Sequence, residues 1–91
     1  MNQVTYIVSP QSAKLTRDTD TFSKMDPYVR MTMPGGNVEQ CMPHEGGGKN
    51  PRWSGYIWQF PKIGNQDIRV EVWDSDGTSD DKVGAGILHV E

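Results

Sequence analysis

The stretch Ile68-Arg69-Val70-Glu71-Val72-Trp73-Asp74-Ser75-Asp76 decides the fold. Apolar Ile68, Val70 and Val72 alternate with charged Arg69 and Glu71. Successive side chains of a β-strand point to opposite faces, so this alternation predicts a strand with one apolar and one wet face. The same segment runs directly into acids, Asp74 and Asp76, followed by Gly77. It therefore reads as a strand delivering its end into an acidic loop.

The same period extends outward in both directions. Val4, Tyr6 and Val8 alternate with Thr5 and Ile7. Tyr28 to Met33 predicts a strand that stops at Pro34-Gly35-Gly36, and Val38 to Met42 a weaker one that stops at Pro43. Tyr56, Trp58 and Phe60 line one face of another strand ended by Pro61, and Gly86 to Val90 closes the series. No segment of ten or more residues has the apolar spacing of a helix. Short strands with frequent Gly, Pro, Asn and Asp turns are the pattern of an all-β sandwich or barrel.

Length and composition bound the rest. Ninety-one residues make one small domain, 1–91, with no internal repeat and no linker that would divide it. Apolar residues are 34% of the chain, and the core is correspondingly modest. A net charge of −3 argues against nucleic acid as a partner held by bulk positive charge. Cys41 stands alone, which excludes an internal disulfide and a Cys/His zinc cluster and fits a reducing compartment. No signal peptide is visible, and the apolar runs are too short for a transmembrane helix, so membrane contact is expected to be peripheral.

Acid placement carries the functional signal. Seven of the eight Asp fall in two short segments: Asp18, Asp20 and Asp26, then Asp74, Asp76, Asp80 and Asp81. All four Glu lie elsewhere. A sandwich gathers its loops at two ends, so two acidic loops can converge. Converging carboxylates resist joint ionisation unless a cation fills the gap. Calcium, with six to eight oxygen ligands in flexible geometry, suits such loops better than magnesium. The plainer alternative is that Asp is a common turn residue. An EF-hand is excluded: a loop opened at Asp74 places Thr78, Ser79 and Ala85 where it needs a carboxylate, a sharp-turn Gly and a bidentate Glu.

Several motifs in order resemble one family. Asp26-Pro27-Tyr28-Val29 resembles the Asp-Pro-Tyr-Val signature of C2 domains. Ala13-Lys14-Leu15 is similar to the Ala-x-x-Leu ahead of their first calcium loop, and Asn50-Pro51-x-Trp53 to the opening of a central strand. Val70 to Asp76 resembles the strand entering the third loop, and Asp81-Lys82-Val83-Gly84 the Asp-x-x-Gly that closes it. The resemblance covers about Val4 to Val90. It implies an antiparallel Greek-key β-sandwich of the C2 type, here with about seven strands where the family has eight. The shortfall implies a sheet edge completed by a partner or by a second copy, unless the strands are miscounted. It also implies five calcium ligands, Asp20, Asp26, Asp74, Asp76 and Asp81, with Asp18 as an extra acid and Asp80 competing with Asp81 for the fifth place. The third-loop tip, Gly77-Thr78-Ser79, is polar where membrane-penetrating members are apolar, which leaves Phe22 and Met25 as candidate lipid contacts.

Other residues have plainer readings. Trp53, Trp58 and Trp73 are expected to pack rather than stack on a ligand. His44 and His89 sit in no triad order, and no nucleophile–base pair appears, so an enzyme is not expected. Gly46-Gly47-Gly48-Lys49 lacks phosphate-loop spacing and reads as a strand connection. Arg30, Lys49, Arg52 and Arg69 are read as solvated charge. Two functions follow. One is a cytoplasmic module that binds anionic phospholipid head groups peripherally when it holds calcium. The other is an accessory subunit of an intracellular assembly that docks through its sheet edge.

Overall fold

A computed structural model describes residues 5–17, 24–61 and 66–90. Among them, six strands form: β1 (Thr5–Val8), β2 (Pro27–Thr32), β3 (Val38–Gln40), β4 (Trp58–Pro61), β5 (Gln66–Asp74) and β6 (Asp81–Val90). They make two antiparallel sheets, β1-β4 and β3-β2-β5-β6. The all-β sandwich is as expected, with six regular strands in place of about seven. A further segment comes close to strand pairing. Ala13 and Leu15 donate N–H bonds to the carbonyls of Pro51 and Lys49, and Trp53 donates to Gln11. Only the Ser12–Arg52 bridge is regular there. Pro51 accepts a bond but has no N–H to return, so the ladder cannot propagate.

The two longest strands outrun the sequence reading. Alternation marked Ile68–Val72, whereas β5 runs from Gln66 to Asp74. The expected Gly86–Val90 strand is the second half of β6, which begins at Asp81. Gly84 and Gly86 interrupt the apolar alternation there, and pairing with β5 supplies the order that side-chain pattern does not. A register shift lies between Val72 and Trp73, so beyond it Trp73 faces Lys82 and Asp74 faces Asp81.

The core lies between the sheets: Val29, Met31 and Met33 from the β2 region, Ile68 from β5, Trp58 and Phe60 from β4, with Cys41 and Trp53. Trp53 and Trp58 pack as expected, at 6% and 7% exposure. The Trp53 indole N–H donates to the Pro27 carbonyl at 3.0 Å. Tyr6 lies 5.4 Å from Phe60, ring to ring, and ties β1 to β4. The turn Pro34-Gly35-Gly36 needs its glycines, because both adopt φ near +100° (97° and 99°), a region that side chains disfavour. The sheets are unequal. The flank of β5 and β6 over Gly84 and Gly86 is lined by Leu15, Val70, Val72 and Leu88 and stands open.

Candidate metal centre

One end of the larger sheet collects the acids. The ladder aligns Pro27 with Asp74 and Asp74 with Asp81, so β2, β5 and β6 each deliver a loop junction to one row. Asp26 immediately precedes that row. Its N–H donates to Asp74 Oδ1 at 2.9 Å, and its carbonyl accepts the Ser75 N–H at 3.1 Å. These reciprocal bonds lock the exit of the first acidic segment to the entry of the second. Asp74 is fully buried, at 0% exposure. Burying a carboxylate is costly unless polar groups meet it, and here a backbone donor does.

The glycine-rich connection supports the same corner. Gly46 donates its N–H to Asp26 Oδ1 at 2.8 Å, and Gly48 donates to the Met25 carbonyl at 3.0 Å. His44 serves structure, its Nδ1 accepting the Arg52 N–H at 2.9 Å. Gly46 is a site residue that sequence reading missed. Its contribution is a backbone N–H, and only its place in a Gly-Gly-Gly run hinted that backbone approaches something closely there.

The third loop folds on itself. Thr78 donates to the Asp76 carbonyl at 2.8 Å around Gly77, whose φ is 77°. Asp76 donates its N–H to Asp80 Oδ1 at 3.2 Å, and the Tyr28 hydroxyl donates to Asp80 Oδ2 at 2.5 Å. Hydrogen bonding to Tyr28 and to the Asp76 N–H holds the Asp80 carboxyl below its ordinary range. Burial, then Asp80, pushes the Tyr28 phenol up to about 12.

Of the expected ligands, Asp26, Asp74, Asp76 and Asp81 all sit at this end, with Asp80 beside them. Asp18, Asp20 and the lipid-contact candidate Phe22 lie outside the described residues. Met25 departs from expectation. It is a core residue at 0% exposure, so its side chain offers no surface to a lipid. The hydrophobic effect that made it a candidate for insertion instead buries it within the domain.

The donor chemistry fits calcium: every candidate is an oxygen, and Asp74 and Asp81 face each other directly across the ladder. Like charges in that relation destabilise a sheet, a conflict that a cation between them would relieve. Among the described residues, no group of three or more His, Cys, Asp or Glu is gathered closely enough to hold a metal ion.

Beside the acids, charges of both signs surround Trp73, whose indole N–H donates to Glu71 at 3.4 Å. Arg30 sits 4.9 Å from the Trp73 ring centre and Lys82 5.5 Å from it, and Lys82 pairs with Glu71 at 2.9 Å. No described helix is long and apolar enough to cross a membrane.

A two-sheet antiparallel sandwich with acidic loops gathered at one end defines a C2-type architecture. The family model of the C2 domain matches residues 5–91, and the chain belongs to that family. It is similar to 16 kDa phloem protein 1 of Arabidopsis thaliana, 35% identical over 89 residues, which are 92% of this chain and 57% of that protein. With 16 kDa phloem protein 2 of the same plant the identity is 32% over 81 residues, 88% of this chain and 54% of the relative. The chain thus spans a little over half the length of these curated relatives. A solved C2 domain-containing protein superposes with a TM-score of 0.71 at 30% identity, covering 96% of this chain and 64% of the other. Human GIVD cytosolic phospholipase A2 shares the fold, with a TM-score of 0.71 at 23% identity over 96% of this chain and 13% of that enzyme.

Proposed function

We propose that this domain is a calcium-gated binding module, not an enzyme, that attaches peripherally to anionic phospholipid surfaces. The observation that carries this reading is the row at the sheet end: buried Asp74, tied to Asp26 on one side and opposed by Asp81 on the other. Asp26, Asp74, Asp76 and Asp81 hold calcium in this reading, together with Asp20 from the first loop. Without the ion, the acids repel a negative surface. With it, the local charge reverses, and phosphate or carboxylate oxygens of a head group complete the coordination. Arg30 on the adjoining face adds attraction of the same sign, while Lys82 is paired with Glu71. Phe22 is the remaining apolar candidate for contact with the interface.

The test is thermal unfolding in excess EGTA and then in calcium, followed by sedimentation with phosphatidylserine vesicles. An ion at 100 times its dissociation constant that binds only the folded state adds about 2.7 kcal/mol. For a domain of this size that raises Tm by roughly 10 °C or more. Asp74→Asn, which keeps the side-chain volume, is expected to abolish both the shift and the calcium-dependent sedimentation. Lipid binding that survives the substitution or the chelator would sink the reading.

A second reading has its own observation. Among the described strands β6 is the outer one of the larger sheet, and Ile87 and Leu88 on it are 67% and 45% exposed. Such an edge fits an extended strand of a partner polypeptide that adds to the sheet, as an accessory subunit would dock. Calcium-indifferent unfolding together with strand-dependent association would favour it over the first.

A further inference from the structure

We propose that Tyr28 and Asp80 form a clasp that shapes the third loop, so that Asp80 is a positioning residue and not a ligand, and that the clasp tunes how tightly the loop takes a divalent cation. The consequence for affinity rests on the calcium reading; the clasp itself does not.

Strand alternation separates the two neighbouring acids. Asp81 stands opposite Asp74, and Lys82 stands opposite Trp73. Side chains alternate between faces, so Asp81 belongs to the face of Asp74, while Asp80, one residue ahead of β6, turns to the face of Trp73 and Lys82 through its bond to Tyr28. Tyr28 is the cross-strand partner of Trp73 on β2 and shares that face. The phenol meets Asp80 there.

The clasp is strong by each physical criterion. Tyr28 is 2% exposed, and a buried hydroxyl needs a partner. At 2.5 Å, its bond to a carboxylate has the length of a charge-assisted contact. The other oxygen of Asp80 accepts the Asp76 N–H. One carboxylate therefore bridges the loop's entry and the central strand, across the turn at Gly77. Reaching a cation on the Asp74 face would require Asp80 to surrender both bonds and strand a buried phenol. Asp81 makes no such sacrifice. The loop is held closed before any ion arrives, which spares the ion the entropy of ordering it.

The test compares Tyr28→Phe, Asp80→Ala and Asp81→Asn by two readouts. The first is amide hydrogen exchange at Asp76 in EGTA. The second is calcium titration by calorimetry. Tyr28→Phe and Asp80→Ala are expected to speed Asp76 exchange by about tenfold, in line with the loss of one hydrogen bond to a charged group. Both should weaken calcium by a similar factor while leaving binding measurable. Their double variant should be no worse than Asp80→Ala alone, because the contact that Tyr28→Phe removes is already lost with the carboxylate, whereas Tyr28→Phe by itself leaves the Asp76 N–H its acceptor. Asp81→Asn should abolish calcium uptake and leave Asp76 exchange unchanged. Exchange unaltered in Tyr28→Phe overturns the clasp. Calcium abolished by Asp80→Ala, with Asp81→Asn still binding, overturns the assignment of roles. A wild-type chain that takes up no calcium overturns the calcium reading alone, and the exchange comparison still decides the clasp.

Discussion

Burial and one sulfur contact define what Cys41 can do. It is 3% exposed, and the Val29 N–H points at its Sγ at 3.2 Å. Burial pushes the thiol above its ordinary range, so at pH 8 it stays protonated, and the thiolate is the reactive form. Ellman's reagent at pH 8 is expected to label the folded chain at least about a hundredfold more slowly than the chain in urea, because labelling requires opening of the core. Rapid labelling of the folded chain would show that the β2–β3 corner is not packed as described. The sequence offered half of this: Cys41 next to Met42 reads as a half-buried thiol, but Met42 is 71% exposed and Cys41 almost wholly enclosed. Met25 shows the same limit. Its apolar character was plain, while the choice between a membrane and the core depends on which face the chain turns inward after the first loop.

Among the strands, β5 was legible because its two faces differ in polarity, and β6 was legible only in part. Ala85, Gly84 and Gly86 carry too little side chain to write a pattern, so the extent of β6 emerges only from its ladder with β5. The acid row was legible as two clusters. Which of Asp80 and Asp81 shares the face of Asp74 was not, because it depends on the register shift at Val72 and Trp73. The outer edge of β6 has its own consequence. Val83 to Leu88 carries no charge and no proline, the usual defences of an edge strand. Light scattering of the isolated domain is expected to show mass rising with concentration, and Ile87→Lys, at an exposed position, should hold it at 10.2 kDa with an unchanged unfolding curve. A wild-type chain that stays a monodisperse monomer and unfolds cooperatively would count against docking through this edge.

As a whole, the described residues set a four-stranded sheet against a two-stranded one, with the candidate metal centre at one end and an open apolar flank along β5 and β6. Family and fold were legible because motif order survives in a short chain; the inequality of the layers was not, since it depends on how strands distribute between sheets. The pairing of Trp73 with Arg30 and Lys82 has an optical consequence. Trp53 and Trp58 are enclosed, while Trp73 is partly exposed between two cations and adjoins Asp74. Glu71 accepts the indole N–H and pairs with Lys82, which offsets the cations, so neutral acrylamide should quench this indole well ahead of the other two, and Trp73→Phe should leave emission nearly indifferent to it. Quenching unchanged in Trp73→Phe would mean that this ring is not the exposed one. With that contrast in place, the domain carries its own lamp beside the acidic loops, and light from a single side chain reports what enters them.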